Sequence, residues 1–239
     1  GTDEHGNKIA AKAAELGITP KAYTDSTYLN FESLMKKVGT SYTDFVRTTD
    51  DHHVASVQYI WEQLKPYIYK GSYTGWYCVG HEAFLTEKDL VDGLCPDHKV
   101  APELIKEKNG FFKVSAFTDV IKRKIEGVDD KDSFKIYPEH AKKEILSMLK
   151  DGFNGIAATR PNVKWGIQVP WDKDQTIYVW VEALINYYTG RLSGNGAGND
   201  GATTDGAGNG GKDFWPADLH VVGPDIAKFH CIIWPALLL

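Results

Sequence analysis

The spacing of apolar residues predicts helices in the first part of the chain. Residues 7–16, 20–38 and 50–64 carry apolar side chains three or four positions apart, which is the period of a helix face. Gly17, Gly39 and Pro66 close the three stretches, as expected at helix ends. His52 and His53 lie at the polar start of the third helix, and we expect both to be solvated.

Residues 176–190 change period within a few positions. They open with a short β-rich run, residues 177–180, and the apolar residues Trp180, Ala183, Leu184 and Tyr187 then recur at helical spacing. A strand that runs straight into a helix is the unit of a parallel α/β sheet, where ligands bind at the carboxyl ends of the strands. Periodicity alone also fits simple core packing.

Two more junctions of this kind are predicted, at GTDEHG and at HVVGPDI. At the second of these, residues 219–223 are predicted as a buried strand and residues 225–238 as a helix. In one parallel sheet the three junctions would share an edge. That edge would collect Asp3, His5, Trp180, Ala183, Tyr187, Asp225, Ile226 and His230. An apolar socket with two acids suits a small ligand that has an ammonium group and an apolar tail. The spacing leaves open whether His5 is catalytic or an ordinary helix-start residue.

Residues 67–152 have a different character, with short alternations in place of long helical stripes. We predict a hairpin over residues 67–79, a strand over 110–115 and helices over 116–127 and 137–152. These residues therefore look like a unit inserted between two flanking parts, residues 1–66 and 153–239.

Two Cys-x2-His pairs lie in this inserted unit. Thiolates and imidazoles at this spacing are typical ligands of tetrahedral zinc, so one hypothesis is a zinc knuckle made by Cys78, His81, Cys95 and His98. The alternative is packed cysteines with surface histidines. We expect the third cysteine, Cys231, to be buried helix packing.

Composition narrows the classes of function. A net charge of −5 argues against a surface coated by nucleic acid, and three cysteines without a secretory pattern favour a reducing compartment. Because no apolar run reaches the length of a membrane span, we expect no membrane partner. We expect a cytoplasmic location, with an organellar matrix as the alternative. Residues 193–211 lack apolar side chains larger than alanine and predict a mobile loop.

Five segments, taken in order, resemble the methionyl-tRNA synthetases, which are class I aminoacyl-tRNA synthetases. They are GTDEHGNKI, YTGWYCVGHEAFLTEKDLVDGLCP, RPNVKWGI, YVWVEALINYYTG and HVVGPDIAKFHCIIWPALL. The resemblance implies an α/β fold: a Rossmann-type parallel sheet with helices, interrupted by a smaller connective-peptide insert that can carry a zinc knuckle. Residues 1–66 and 153–239 would then form the two parts of the catalytic domain, and residues 67–152 the insert.

The resemblance also implies an activity. A methionine–tRNA ligase activates methionine with ATP and Mg2+ to methionyl-adenylate and transfers it to tRNA(Met). Asp3 would bind the ammonium group and Arg160 the carboxylate, a task suited to a guanidinium fork. The side-chain pocket would consist of Trp180, Ala183, Leu184, Tyr187, Ile226 and His230. Asp225 and Gly223 would bind ATP, and His5 would be catalytic.

The sequence departs from the family pattern in several places. The phosphate-handling motifs of HIGH type and KMSKS type are absent, and the abrupt start and end predict a piece of a longer protein. Glu182 stands where the family usually has Asp, and Pro224 where it usually has Lys. Two alternatives stay open: a related class I synthetase for another apolar amino acid, and a non-catalytic methionine-binding fragment.

Overall fold

The computed structural model describes residues 1–80, 83–128, 133–153, 155–190 and 215–239. The loop predicted at residues 193–211 and the side chain of His81 lie outside these ranges. Three helices open the chain as their spacing predicts: α1 (Asn7–Glu15), α2 (Pro20–Lys37) and α3 (Asp51–Leu64). The hydroxyl of Thr19 caps α2 by accepting a hydrogen bond from the Ala22 amide.

A four-stranded antiparallel sheet follows, in the order β2-β1-β3-β4. Its strands are β1 (Ile68–Cys78), β2 (Ala83–Leu85), β3 (Glu103–Phe112) and β4 (Ile156–Ala157). The hairpin predicted within residues 67–79 is wrong, because β1 is one strand that pairs with β3 along almost its whole length. Gly75 marks a close approach rather than a turn: a Cβ atom there would lie 2.5 Å from the Tyr73 ring.

The strand predicted over residues 110–115 is shifted, since β3 begins at Glu103 and ends at Phe112. After Phe112 the Lys113 amide donates to the Tyr67 carbonyl, and residues 114–116 form a 3-10 turn that takes Val114 into the core. The two predicted helices follow as α4 (Thr118–Glu126) and α5 (Glu139–Lys150).

A second antiparallel sheet, in the order β5-β7-β6, contains β5 (Thr159–Arg160), β6 (Gln168–Val169) and β7 (Asp172–Ile177). Strand β7 runs directly into α6 (Val179–Leu184), which is followed by α7 (Asn186–Gly190). The strand-to-helix unit predicted there and the α/β class are therefore confirmed. Across the described ranges, however, parallel pairing is limited to a single bridge between Thr2 and Arg47.

Residues 219–223 are irregular rather than a buried strand. Leu219 is 76% exposed and Val221 is 88% exposed. A strand needs a neighbour for its backbone hydrogen bonds, and no described strand pairs with this segment.

The predicted last helix is helical but changes its winding. A 3-10 turn (Pro224–Ile226) and a π-helical turn (Phe229–Ile233) precede α8 (Trp234–Leu238). Pro235 lacks the N–H that would bond the Cys231 carbonyl, which accounts for the wider turn just before α8.

Among the described residues, a hydrophobic cluster joins α3, α4, α5, α6 and α8 to the end of β3. Its largest fully buried members are Trp61, Phe112, Ile121, Ile145, Ile185 and Ile232. Within the described parts of the chain, no helix is both long enough and apolar enough to cross a bilayer.

Candidate active site

Asp3 lies in the turn before α1, and the residue after it is firmly anchored. Glu4 is 3% exposed, and its carboxylate accepts two hydrogen bonds from the Arg47 guanidinium, both at 2.8 Å. The hydroxyls of Thr2 and Thr49 also donate to it. Burial works to raise the pKa of Glu4, but these hydrogen bonds outweigh it and lower the pKa. The turn is therefore tied to a permanent carboxylate, while the Asp3 side chain is exposed.

The next residue, His5, is anchored in another direction. Its Nδ1 atom lies 2.8 Å from Glu182 Oε1 on α6, and Glu182 Oε2 lies 2.9 Å from His53 Nε2 on α3. The second ring nitrogen of His53 lies 3.1 Å from the hydroxyl of Thr189 on α7. We call His5, Glu182 and His53 the histidine clamp. Glu182 and His53 are completely buried, and His5 is 7% exposed.

The clamp corrects one expectation from the sequence. His52 is exposed, as predicted, but His53 is fully buried. His53 precedes Val57 by four positions, so it lies on the apolar face of α3 rather than on its polar turn. That spacing is a signal that could have identified it.

The proposed side-chain pocket forms where α6 and α7 meet the last helix. The Tyr187 hydroxyl lies 2.6 Å from His230 Nε2, and His230 Nδ1 lies 2.9 Å from the Ile226 carbonyl. Because a carbonyl only accepts, Nδ1 donates to Ile226, and Nε2 is left to pair with the Tyr187 hydroxyl. Trp180 packs on Phe229 with ring centroids 4.7 Å apart.

The electrostatics of this pocket favour neutral groups. Burial raises the pKa of Tyr187. His220, whose ring lies 4.5 Å from that of Tyr187, has its pKa lowered by burial and by the nearby His230. Both shifts favour the uncharged forms of Tyr187 and His220.

The other predicted pocket and nucleotide residues lie nearby along the chain but differ in exposure. Ala183 and Ile226 are half-buried, whereas Leu184 is 4% exposed and belongs to the hydrophobic core. Asp225 is exposed at the start of the 3-10 turn. A Cβ atom at Gly223 would lie 2.6 Å from Asp225 Oδ1, so the glycine leaves room for that carboxylate.

Arg160, predicted to bind a substrate carboxylate, is held by a protein carboxylate. Its Nε and Nη2 atoms donate to Glu107 of β3 at 2.7 and 3.1 Å. Its guanidinium also lies over the rings of Tyr77 and Phe84, 4.4 and 5.0 Å from their centroids. Burial works to lower the pKa of Arg160, but the hydrogen bond to Glu107 outweighs it and raises the pKa. Sequence reasoning missed Glu107, since nothing in the local pattern links residues so far apart.

A cavity of about 220 Å³ lies beside Arg160. Aromatic side chains from the insert and from the last helix line it, and Lys228 adds a second cation. The main contributors are Tyr73, Phe84, Phe111, Tyr178, Phe229 and Lys228. Phe229 also packs on Trp180, so the cavity adjoins the proposed pocket.

Three of the four predicted metal ligands come together in the insert. The donor atoms of Cys78, Cys95 and His98 all lie within 4.8 Å of one another. Gly80 permits this arrangement, because a Cβ atom there would overlap the His98 ring. Burial works to raise the pKa of Cys95, but hydrogen bonds from His98 outweigh it and bring the pKa to about 7. A thiolate is the form that binds metal, so the donor set fits a zinc ion.

Comparisons with known proteins match the whole chain to tRNA synthetases. The family model described as tRNA synthetases class I (M) matches residues 1–101 and 98–239. A methionine–tRNA ligase from Clostridium acetobutylicum is 44% identical over the full chain, and one from Bacillus cereus is 40% identical. The chain spans about a third of the length of these relatives: 35% and 36%.

A solved structure gives the same result for the fold. The methionyl-tRNA synthetase of Mycobacterium tuberculosis, bound by methionyl-adenylate, has a TM-score of 0.84 and 34% identity. The similarity covers 100% of this chain and 46% of that one. Because the family model and the relatives span both flanking parts and the insert, the chain belongs to the class I tRNA synthetases of the M type.

Proposed function

We propose that this chain carries the methionine-binding core of a methionine–tRNA ligase, which forms methionyl-adenylate from methionine and ATP and charges tRNA(Met). The observation that carries the proposal is the Tyr187–His230 pair, next to which along the last helix Phe229 contacts Trp180. Support comes from the similarity, over the whole chain, to a structure bound by methionyl-adenylate.

The socket suits a thioether. Methionine is unbranched and polarisable and gains from contact with aromatic rings, which Trp180 and Tyr187 would supply. Ala183 would leave room for a straight tail. Asp3 would hold the ammonium group, because its turn is fixed on one side by Glu4 and on the other by His5.

The reaction would proceed in two steps. A carboxylate oxygen of methionine attacks the α-phosphorus of ATP, and pyrophosphate leaves with its Mg2+. A ribose hydroxyl at the tRNA 3′ end then attacks the adenylate carbonyl, and AMP leaves. Asp225 would bind the ATP ribose hydroxyls above Gly223. Arg160 would orient the methionine carboxylate while sharing its guanidinium with Glu107, and His5 would act at the reacting centre.

Titration of methionine into the chain, followed by calorimetry, tests the binding part directly. Asp3→Ala should weaken binding by more than about 1.5 kcal/mol, the low end for a hydrogen bond to a charged group. Ala183→Val should weaken it by filling the tail space. Asp119→Ala, which removes an exposed acid on α4, is the control and should bind like the parent. Parent-like binding by both pocket variants would place the site elsewhere.

The same titration distinguishes the alternatives. Tighter binding of leucine, isoleucine or valine than of methionine would favour a synthetase for another apolar amino acid. Methionine binding without adenylate formation, measured as pyrophosphate exchange, would favour a non-catalytic methionine-binding fragment.

We also propose that the insert holds one structural Zn2+. Cys78, Cys95 and His98 would supply three ligands, and His81 would supply the fourth. The ion would join the end of β1 to the loop before β3. Since translation takes place there, we place the protein in the cytoplasm or in an organellar matrix.

Elemental analysis of protein prepared without chelators tests the zinc proposal, with about one metal per chain expected. Gly80→Ala should abolish binding, because the added methyl group displaces the His98 ring. Val79→Ala, a change at an exposed neighbour, should keep the metal. Metal-free parent protein, or full occupancy in Gly80→Ala, would refute the site.

A further inference from the structure

Glu182 is a buried acid that the proposed chemistry does not use. Its side chain is 0% exposed, and both carboxylate oxygens face histidine nitrogens at 2.8 and 2.9 Å. Each carboxylate oxygen pairs with one ring nitrogen, so a single side chain holds both histidines. A buried carboxylate is stable only when partners of this kind compensate its charge.

The histidine clamp connects two elements that both belong to the proposed methionine site. Glu182 lies on α6 between Trp180 and Ala183, two residues of the proposed tail socket. His5 lies two positions after Asp3, the proposed ammonium holder, in the same turn. One side chain therefore links the segment that binds one end of the ligand to the helix that binds the other end.

The turn and the helix have little freedom to move around this link. The Gly6 amide donates to the Trp165 carbonyl at 2.9 Å, and Trp165 Nε1 donates to the Glu4 carbonyl at 2.6 Å. The Trp165 ring also packs edge-on against His5. On the other side, His53 connects Glu182 to α3 and to Thr189 of α7. The length of the Glu182 side chain therefore sets how far the turn stands from α6.

We propose that Glu182 is a positioning residue, which sets the spacing between Asp3 and the tail socket through His5. The inference rests on the proposed function. It also gives a physical meaning to glutamate, rather than the usual aspartate, at this position. The extra methylene group lets one carboxylate reach both imidazoles.

A double-mutant cycle on methionine binding tests this role. The variants are Asp3→Asn, Glu182→Asp and the double variant, and calorimetry measures the Kd of each. Asp3→Asn and Glu182→Asp should each raise the Kd roughly tenfold. The double variant should be little weaker than either single variant, because Glu182 acts through the contact that Asp3 makes. Glu182→Gln adds a second test at full side-chain length: its carbonyl accepts from one histidine, and its NH2 group donates to the other once that ring takes its other tautomer, so this variant should bind nearly as well as the parent.

A purely structural role predicts a different result. If Glu182→Asp acted only by lowering stability, the two increases in Kd would multiply, and the Kd of the double variant would rise roughly a hundredfold. Ile121→Val in α4 is the control for lost stability, since Ile121 is fully buried outside the clamp, and it should bind methionine like the parent. Multiplied costs, or parent-like binding by Glu182→Asp, would overturn the inference while leaving the proposed function intact. A parent chain that binds no methionine would overturn the proposed function and the inference with it.

Discussion

At the scale of single residues, hydrogen-bond partners hold the His230 ring of the proposed pocket in one orientation. His230 has an acceptor on one side, the Ile226 carbonyl, and a hydroxyl on the other. Nδ1 therefore donates to the carbonyl, and the Tyr187 hydroxyl is the hydrogen-bond partner of Nε2.

Removal of the Tyr187 hydroxyl should therefore have a measurable cost. Tyr187→Phe leaves His230 Nε2 without its partner, and we expect the free energy of unfolding to fall by about 1 kcal/mol. Urea unfolding followed by circular dichroism measures this change. Tyr59→Phe, at a side chain that is 58% exposed, should change the stability by much less. Equal effects in both variants would contradict the assigned hydrogen bond.

The sequence could predict some of these residues but not their partners. Tyr187 and His230 follow from helical spacing and from the family resemblance, and they do meet. Glu107 could not be found, because its partner Arg160 is distant in sequence and only the paired sheets bring them together. His53 was misjudged because two adjacent histidines on a polar turn look alike, although only one of them continues the apolar face.

At the scale of elements, spacing predicted the long helices well and the strands poorly. Helices α1, α2 and α3 carry their own periodic signal, and α2 also has a side-chain cap in Thr19. Strand β1 was mistaken for a hairpin because its glycines resemble turn residues, whereas close aromatic neighbours on the sheet require them. Residues 219–223 have strand propensity, but propensity does not form a strand without a paired neighbour.

Arg47 joins the first turn, through Glu4, to α2, through Asp25. Arg47 also donates to Asp25 at 2.7 Å and lies over the Tyr28 ring. Since the folded pKa of Glu4 is lowered, its contribution to stability is present above the unfolded pKa and is lost as the pH falls through the folded pKa.

Glu4→Gln should show this pH dependence. At neutral pH the variant should lose roughly 2 kcal/mol, a typical value for a charged hydrogen bond. The difference from the parent should be constant above the ordinary pKa of a glutamate, about 4.3, and should shrink as the pH falls from there through the lowered pKa of Glu4. Urea midpoints measured at several pH values test this expectation. A difference that grows towards acid pH would mean that the carboxylate does not act through its charge.

At the scale of the whole molecule, the insert and the second part of the chain share their sheets. Strand β4 adds to the insert sheet although it follows residue 152, and the Ala158 amide donates to the Gly110 carbonyl at 2.8 Å. The Gly110 amide in turn donates to the Thr159 hydroxyl at 2.6 Å. The division at residues 66 and 152 remains a prediction, but these contacts join the insert to the second part of the chain.

The buried pair of Glu107 and Arg160 is the strongest of these links, because it places opposite charges from β3 and β5 at 2.7 Å with almost no exposure. Glu107→Ala would leave a buried guanidinium without its carboxylate, and we expect a loss of about 3 kcal/mol. Glu103→Ala, at an exposed position on the same strand, should cost little. If the insert and the rest fold as one unit, the unfolding transition of Glu107→Ala should have the same midpoint whether tryptophan fluorescence or circular dichroism is followed. Separate transitions for the two probes would show instead that the insert unfolds independently, and that this ion pair stabilises one part of the molecule rather than the whole.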